Sequence, residues 1–381
     1  MAHANDFTVM TIVGTRPEII KLSCVMRELD LHVRHVLVHT GQNYDYELNA
    51  IFFKELALRP PDHVLNVVGA TLAETIGSII AKADAVMERE RPDAVLVYGD
   101  TNSCLSVIAA KRRKIPIFHM EAGNRSFDMR VPEEVNRKIV DHTSDVNMTN
   151  SEHARHYLLA EGLRPELVIK TGSPMQEVLM EYREHIDRSD VHARLRVTPR
   201  QYIVVSMHRE ENVDSEKHFA QLLETLNAIA ACFGFPIIVS THPRTRKQLD
   251  ARGVTAMDSR IQFLKPLGLF DYVKLQQEAY CVVSDSGTIT EESSLLHFPA
   301  ITIRQAHERP EGMDEGVLIM SGIAAPDVLR AIGVVVAQHR QNPTAFRVVS
   351  DYDVDNVSKK VVRIILSYTG YVNRIVWRVG E

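Results

Sequence analysis

Short apolar runs alternate along the chain with longer segments in which apolar residues recur every three or four positions. The short runs predict strands, and the helical spacing between them, as in Glu18–Leu29 and Thr71–Glu90, predicts helices. This alternation predicts a parallel sheet with helices on both faces. In the first half the predicted strands are Phe7–Val13, His35–His39, Ala94–Tyr98, Pro116–Met120 and Leu167–Lys170.

The same alternation restarts after a polar stretch at Arg188–Arg200. The two similar halves predict an α/β fold with two Rossmann-like domains that face a cleft. We place the first domain at 1–172 and the second at 173–365. In the second half the predicted strands are Tyr202–Ser206, Pro236–Ser240, Ile261–Leu264, Tyr280–Ser284 and Ala300–Ile303.

Composition narrows the classes of partner. The chain has 381 residues with 44 Lys and Arg against 49 Asp and Glu, and its net charge of −5 argues against nucleic acid or an anionic membrane as partner. The four cysteines form no Cys-x-x-Cys pair, which argues against a zinc cluster or a disulfide framework. Because no apolar run reaches 18 residues and the start lacks a basic stretch followed by an apolar one, we expect a cytoplasmic protein.

The first polar motif, Gly14-Thr15-Arg16-Pro17, ends a predicted strand and opens a helix. Glycine permits a tight turn there, and proline suits the first helical position. A helix N-terminus beside Arg16 predicts an anion site, which Lys21 could face from one turn further on. An ordinary turn with a solvated lysine is the alternative.

A second motif, Asp285-Ser286-Gly287-Thr288, offers hydroxyls and backbone amides at a helix start, which suits a diphosphate. Glu292, one turn later, could hold ribose hydroxyls. A capping box, in which Glu291 or Glu292 reaches back to the turn, is the alternative. The chain has neither a Gly-x-x-x-x-Gly-Lys-Ser/Thr loop nor a Gly-x-Gly-x-x-Gly motif after the first strand, which weighs against ATP and NAD.

Carboxylates also follow predicted strands. Asp100 and Glu121 come directly after two of them, and Glu133 and Glu134 begin a helix. A parallel sheet brings such positions to one edge. Carboxylates in one cleft repel each other, which raises at least one pKa and suits acid–base chemistry. Helix capping or a salt bridge is the alternative for each of them.

Histidines and arginines end two strands of the second half. His208 with Arg209, and His242 with Arg244, are placed to bind a phosphate, and hydrogen-bonding surface histidines are the alternative. The sequence at 208–211 is not the His-Glu-x-x-His pattern of a zinc site, so we expect no metal.

Seven motifs together carry a resemblance to a known family. They are Gly-Thr-Arg-Pro-Glu at 14–18, Gly-Asp-Thr at 99–101, His-Met-Glu-Ala-Gly at 119–123, Pro-Glu-Glu-Val-Asn-Arg at 132–137, His-Arg-Glu at 208–210, Asp-Ser-Gly at 285–287 and Glu-Arg-Pro-Glu at 308–311. Over nearly the whole chain this set resembles the non-hydrolysing UDP-N-acetylglucosamine 2-epimerases. The resemblance implies the glycosyltransferase-B fold, with a helix at about 366–381 packing back on the first domain. It also implies a homodimer that interconverts UDP-amino sugars at C2 without metal or NAD.

The resemblance further implies roles for single residues. In that family, catalysis involves the positions that match Asp100, Glu121, Glu133 and His208, and UDP is held by those that match Arg16, Ser286, Gly287 and Glu292. Because the C2 hydrogen is not next to a carbonyl, UDP must leave from C1 as the proton is removed, giving a 2-acetamido-glycal. A base and an acid are then needed on opposite faces of the sugar. Asp100 and Glu133 are our candidates for proton removal, and Glu121 for the opposite face.

The chain departs from the general pattern of that family at three places. The segment 122–132 is short, Thr288 replaces a frequent second glycine, and 40–48 replaces the loop that binds an allosteric sugar nucleotide in bacterial members. These variations resemble the branch that converts UDP-2-acetamido-2,6-dideoxy-L-talose to UDP-N-acetyl-L-fucosamine for surface polysaccharides. A 6-deoxy sugar needs an apolar wall, which Phe127 or Met129 could supply.

Four other functions stay open at this point. A UDP-N-acetylglucosamine to UDP-N-acetylmannosamine 2-epimerase would use the same chemistry, and a hydrolysing epimerase would differ only in water access to the intermediate. A retaining glycosyltransferase would share the nucleotide site but need an acceptor. A non-catalytic sugar-nucleotide sensor would keep Arg16 and the Asp285 turn without needing Asp100, Glu121 and Glu133 together.

Overall fold

The computed structural model describes residues 7–41, 52–67, 69–207, 209, 215–241, 243–252, 257–306 and 308–379. The chain divides into two compact units, one formed by Met1–Glu181 with Asp351–Glu381 and the other by Tyr182–Ser350. The boundaries between the two units therefore lie at 181/182 and 350/351, whereas the domain boundaries predicted from the sequence lie at 172/173 and 365/366.

The first unit contains a seven-stranded sheet. Its strands are β1 (Thr8–Val13), β2 (Arg34–His39), β3 (His63–Val64), β4 (Ala94–Tyr98), β5 (Ile117–Met120), β6 (Val146–Thr149) and β7 (Val168–Lys170). They lie in the order β3-β2-β1-β4-β5-β6-β7, and all neighbouring strands are parallel.

The second unit contains a six-stranded sheet. Its strands are β8 (Ile203–Met207), β9 (Ile237–Thr241), β10 (Ile261–Leu264), β11 (Cys281–Ser284), β12 (Ala300–Thr302) and β13 (Ile319–Met320). They lie in the order β10-β9-β8-β11-β12-β13, again all parallel. Two parallel-sheet α/β units confirm the predicted fold class.

Helices connect the strands in both units. They are α1 (Arg16–His32), α2 (Leu72–Glu90), α3 (Val107–Arg112), α4 (Pro132–Thr143), α5 (Glu152–Ala160), α6 (Met175–Glu181), α7 (Arg183–Asp187), α8 (Val191–Leu195), α9 (Glu216–Phe233), α10 (Pro243–Ala251), α11 (Leu269–Gln277), α12 (Thr288–Leu296), α13 (Pro310–Asp314), α14 (Ala325–Gln341) and α15 (Val357–Ile375). Short 3₁₀ helices span Asn102–Ser106 and Pro165–Leu167. Within the first unit α15 packs on α1 and buries Val361, Ile365 and Val372.

The strand order of each sheet reverses once. In the first sheet the reversal falls between β1 and β4, and in the second it falls between β8 and β11. Ligands of open α/β sheets bind beyond the carboxyl ends of the strands at such a switch point. The turns that follow three of these strands contain Asp100, Arg209 and Ser286, and Arg16 begins the helix that follows β1.

Both faces of the second sheet are buried. Ile203, Val205 and Met207 enter one apolar cluster, and Tyr202 and Val204 enter another on the opposite face. Successive side chains of a strand point to opposite faces, so helices cover the sheet on both sides.

Three strands were not predicted from the sequence. The run at β6 is interrupted by Asn147 and Thr149, although both side chains are buried. Asn147 is accommodated because its Nδ2 donates to the backbone oxygen of Asp141 at 2.9 Å. The other two, β3 and β13, contain only two residues each and form the sheet edges.

Candidate active site

Glu18 joins the two turns at the switch point of the first sheet. Its Oε2 accepts hydrogen bonds from the backbone N–H groups of Gly14 at 2.7 Å and Thr15 at 2.6 Å. Its Oε1 accepts from the hydroxyl of Thr101 at 2.8 Å and from that of Ser103. Burial raises the pKa of Glu18 and outweighs the lowering effect of these donors. This carboxylate, absent from the predicted site residues, ties the turn after β1 to the turn after β4.

Asp100 lies in the turn after β4 and is paired with Arg137. Its Oδ2 is 2.8 Å from Nε and 2.6 Å from Nη2 of Arg137. Nδ2 of Asn136 donates to the backbone oxygen of Asp100 at 2.9 Å. The side chain of Asp100 is 21% exposed, whereas that of Arg137 is buried. Helix α4 therefore orients Asp100 and leaves part of its carboxylate accessible.

Glu121 follows β5 with a backbone φ of +61°. Its Oε2 accepts from Nζ of Lys21 at 2.8 Å, from the hydroxyl of Tyr98 at 2.7 Å and from Nδ2 of Asn150 at 3.3 Å. The side chain of Glu121 is 13% exposed and that of Lys21 is 3% exposed. Lys21, predicted to face an anion, is thus placed beside a predicted catalytic carboxylate, and the donors fix the orientation of that carboxylate.

Each of these two carboxylates is paired with a cation. Asp100 lies 2.6 Å from Arg137 and Glu121 lies 2.8 Å from Lys21. A Cβ built on Gly99 would lie 3.6 Å from Oε1 of Glu121. The second oxygen of Glu121 therefore lies beside the turn that carries Asp100.

The two glutamates that open α4 have different surroundings. Glu134 is buried, and it accepts hydrogen bonds from the backbone N–H groups of Ser126 at 3.0 Å and Phe127 at 3.2 Å. Its Oε2 also lies 2.9 Å from Nη1 of Arg137, the same arginine that holds Asp100. Glu133 is half-buried in the first turn of the helix. Glu134 is therefore a structural residue that holds the 126–127 segment.

A buried histidine, His119, contacts the turn that carries Asp100. His119 Nε2 is 2.8 Å from the backbone oxygen of Gly99, and Nδ1 is 2.9 Å from Oδ1 of Asp141. Burial alone would lower the pKa of His119, but Asp141 and this carbonyl raise it overall. Asp141 is also paired with the buried Arg125 at 2.7 Å.

In the second unit, the turn after β11 leads into α12. Oδ2 of the buried Asp285 accepts from the backbone N–H of Arg209 at 3.0 Å, which ties the turn after β8 to the turn after β11. The hydroxyls of Ser286 and Thr288 lie 3.0 Å apart. Both are half-buried, as is Gly287, the N-cap of α12. Hydroxyls and amides at a helix start suit an anion.

Two glutamates of α12 are oriented by other elements. Glu291 is buried and lies 2.8 Å from Nη2 of Arg309. Glu292 is also buried, and its Oε2 accepts from Nε2 of Gln276 at 2.6 Å. Gln276 thus fixes the residue that the sequence predicted to hold ribose.

A buried ion pair packs against Gly287. Nη2 of Arg304 lies 2.7 Å from Oε1 of Glu308, and Nη2 of Arg209 lies 3.4 Å from the same oxygen. A Cβ on residue 287 would lie 3.5 Å from Oε2 of Glu308, which is an ordinary contact distance, so the ion pair lies directly against the turn before α12. Residues 308–311 form one of the motifs that carry the family resemblance, but no role was predicted for them.

The remaining predicted residues are placed as follows. Arg16 is the first residue of α1, and its guanidinium lies 4.5 Å from the centre of the Phe52 ring. His208 and His242 lie outside the described residues, and for Arg244 the description is limited to its backbone in α10.

Within the described part of the chain, no three side chains of the metal-binding types lie together as a metal site would require. No helix in that part has the length and apolarity to cross a bilayer.

Comparison with known proteins assigns the family. A family model described as UDP-N-acetylglucosamine 2-epimerase matches residues 27–366. The chain belongs to this family. Members of the UDP-N-acetylglucosamine 2-epimerase family are isomerases, and the match confirms the family-level resemblance seen in the sequence motifs.

Three relatives illustrate the range of the UDP-N-acetylglucosamine 2-epimerase family. The structure of UDP-N-acetylglucosamine 2-epimerase from Rickettsia bellii is 55% identical, with a TM-score of 0.90 over 97% of this chain and 99% of that one. The Methanocaldococcus jannaschii UDP-GlcNAc 2-epimerase in complex with UDP-GlcNAc and UDP is 30% identical, with a TM-score of 0.89 over 95% and 100%. A UDP-2,3-diacetamido-2,3-dideoxy-D-glucuronate 2-epimerase from Pseudomonas aeruginosa is 32% identical over 83% of this chain and 88% of its own.

The two units of this UDP-N-acetylglucosamine 2-epimerase family member present different chemistry at their switch points. The first offers the cation-paired carboxylates Asp100 and Glu121. The second offers the hydroxyls of Ser286 and Thr288 at the start of α12. Proton transfer suits the first set and anion binding suits the second.

Proposed function

We propose that the protein interconverts a UDP-2-acetamido sugar with its C2 epimer by elimination and re-addition of UDP, without releasing free sugar. The observation that carries this proposal is the pair of oriented carboxylates, Asp100 held by Arg137 and Glu121 held by Lys21. Epimerisation at C2 needs a base on one face of the sugar and an acid on the other. A well-placed proton transfer contributes about 10²–10⁴-fold to such a rate.

In the proposed first step, Asp100 takes the C2 proton, with Glu133 as the second candidate for that role. The electrons of the C2–H bond form the C1=C2 bond, and the C1–O bond breaks to release UDP. Glu121, in its protonated form, then gives a proton to C2 of the 2-acetamido-glycal from the opposite face. The C1=C2 electron pair forms the new C2–H bond, and the phosphate oxygen of UDP bonds to C1 again. The cations paired with both carboxylates supply the orientation that these two reaction steps require.

UDP binding is proposed for the second switch point and for Arg16. The amides at the start of α12, the hydroxyls of Ser286 and Thr288, and Arg209 would receive the diphosphate. Glu292, oriented by Gln276, would accept the ribose hydroxyls. The M. jannaschii relative, solved in complex with UDP-GlcNAc and UDP, supports a UDP-sugar as ligand.

For the sugar, we propose UDP-2-acetamido-2,6-dideoxy-L-talose as substrate and UDP-N-acetyl-L-fucosamine as product. Phe127 and Met129 are 70% and 60% exposed, and Glu134 anchors the segment that carries them. An exposed apolar pair suits a C6 methyl better than a C6 hydroxyl. The names of the relatives differ in the group at C6, so this position varies within the family. UDP-N-acetylglucosamine, named for the R. bellii structure, is the alternative substrate.

Proton NMR in D2O tests the reaction and the sugar together. The purified protein is incubated separately with UDP-2-acetamido-2,6-dideoxy-L-talose and with UDP-N-acetylglucosamine. Deuterium at C2 of a new epimer with UDP retained is the expected result, and it should appear faster with the 6-deoxy sugar. Free sugar would indicate a hydrolysing epimerase, and no exchange with either compound would refute epimerisation.

Variants test the proposed roles. Asp100→Asn and Glu121→Gln should each lose C2 exchange, whereas Glu88→Gln, a change in an exposed surface carboxylate, should keep the wild-type rate. A Phe127→Ala/Met129→Ala variant should lose its preference for the 6-deoxy sugar. An unchanged ratio of kcat/KM values for the two substrates would refute the apolar wall.

A further inference from the structure

His119 is a buried titratable residue that the proposed proton transfers do not use. It lies on β5, two residues before Glu121. In the sheet it is paired with Val97 of β4 and with Asn147 of β6. Strands of a parallel sheet covered on both faces are normally apolar throughout. A histidine at this position therefore needs a specific reason.

One ion pair and one hydrogen bond compensate the burial of His119. An ionised group inside a protein is costly unless it is paired and hydrogen-bonded, and apolar residues of similar volume often replace such pairs without loss of stability. Asp141 lies 2.9 Å from Nδ1, and the Gly99 carbonyl lies 2.8 Å from Nε2. Stability alone does not explain the choice of histidine.

The Gly99 contact reaches the turn that carries Asp100. Gly99 has a φ of +75°, and its carbonyl is held by His119. The next carbonyl along the chain, that of Asp100, is held by Asn136 at 2.9 Å. Two successive carbonyls of this turn are thus fixed by side chains, which sets the direction in which the Asp100 carboxylate leaves the backbone.

The Asp141 contact reaches the turn that carries Glu121. Oδ1 and Oδ2 of Asp141 accept from the backbone N–H of Gly123 at 3.2 and 3.3 Å. Gly123 has a φ of +83°, and a Cβ there would lie 2.4 Å from the backbone oxygen of Ala154. The turn after Glu121 therefore has little freedom, and His119 is connected to it through Asp141.

We propose that His119 is a positioning residue for the epimerisation, holding the Asp100 turn directly and the Glu121 turn through Asp141. The inference rests on the proposed function. His119 donates from Nε2 to the Gly99 carbonyl, and in its protonated form it is ion-paired with Asp141, whose Oδ1 lies 2.9 Å from Nδ1, so the arrangement is complete when the imidazole is charged. It contacts neither the reacting carbon nor UDP in this role.

The charged groups around His119 favour that form. Asp141 faces it from α4, and Arg125 is the second partner of Asp141. Glu161 pairs with Arg125 at 2.7 Å and with His142 at 2.9 Å, nearer the surface. The pKa of His119 is raised overall, so the protonated arrangement is present at lower pH and is lost as the pH rises through that value.

Three variants test the inference through initial rates of C2 deuterium exchange. His119→Leu removes both contacts, His119→Gln keeps a donor that can reach the Gly99 carbonyl, and His156→Gln changes a histidine that is 68% exposed in the same unit. We expect His119→Leu to lower kcat by about 10²-fold with KM within about threefold of wild type. His119→Gln should recover most of kcat near neutral pH, and His156→Gln should match the wild type.

The pH profile separates positioning from a simple role in folding. Wild-type kcat should fall at high pH as His119 loses its proton, and His119→Gln should lack that decrease. Circular dichroism melting identifies any variant that does not fold, in which case the His119→Gln profile alone decides. Wild-type kcat in folded His119→Leu, or the same high-pH decrease in His119→Gln, would overturn the inference. Absence of exchange in the wild type would instead refute the proposed function.

Discussion

Lys21 on α1 and Glu121 after β5 form an ion pair at 2.8 Å across a separation of 100 residues in the chain. The lysine is 3% exposed, so its charge has little access to water. Removal of one partner from a buried pair leaves the other charge uncompensated, which costs more than the pair contributes. Stability and the proposed chemistry therefore depend on the same two side chains.

Lys21→Met should lower the free energy of unfolding by about 3 kcal/mol, measured by urea denaturation. The Lys21→Met/Glu121→Gln double variant should be more stable than the sum of the single effects predicts, because neither charge is then left alone. C2 exchange should be lost in both variants. Lys54→Met, at an exposed position, is the control for removing a lysine. Strictly additive effects would show that the pair is not coupled.

Glu18 should make the free energy of unfolding depend on pH. Its pKa in the folded protein is raised above the ordinary value of 4.5, so its contribution to stability is fully present below that value. The contribution is lost as the pH rises through the folded-state pKa. The difference in free energy of unfolding between wild type and Glu18→Gln should therefore favour the wild type most in acid and shrink towards neutral pH. A difference that grows with pH would contradict this assignment.

Loss of the hydroxyls before α12 should weaken binding of the diphosphate specifically. Ser286→Ala/Thr288→Val removes two donors, and hydrogen bonds to charged groups contribute about 1.5–3 kcal/mol each. We expect the Kd of UDP, measured by calorimetry, to rise at least about tenfold while that of uridine stays unchanged. An equal rise for uridine would place these hydroxyls away from the phosphates.

Gln276→Leu should weaken binding of the ribose rather than of the diphosphate. This change removes the 2.6 Å hydrogen bond that orients Glu292. The Kd values of UDP and of uridine should then rise together, by about tenfold for a loss of about 1.4 kcal/mol. Glu224→Gln on the exposed face of α9 serves as the control. A selective loss of UDP affinity would argue that Glu292 does not contact ribose.

The sequence was most informative where strands end. Apolar runs located β1, β4, β5, β8 and β11, and polar motifs directly after them marked the switch points. A residue that follows a buried strand of a parallel sheet lies at the carboxyl edge whatever its sequence distance from the others. The fold class and the neighbourhood of Asp100 and Glu121 follow from that rule.

The burial of these charged residues could not be predicted from the sequence, because their spacing does not distinguish a buried position from an exposed one. Glu134 stands beside Glu133 in one helical turn, and only the folded protein shows that Glu134 is enclosed while its neighbour is half-buried. Glu18 binds Thr101 and Ser103, which are distant in the chain, and Arg304 and Glu308 lie in an irregular segment, so no periodic pattern predicts their burial. Tertiary contacts, rather than local preference, decide such positions.

Phe127 combines an unfavourable backbone conformation with a mostly exposed ring. Its φ of +54° suits glycine or asparagine, and its ring is 70% exposed with an edge contact to Tyr157 at 5.2 Å. A left-handed non-glycine residue costs about 1 kcal/mol, so Phe127→Gly should relieve strain. Selection of variants for heat resistance alone would therefore favour glycine at this position, and if Phe127 has its proposed role such variants would gain stability and lose substrate discrimination.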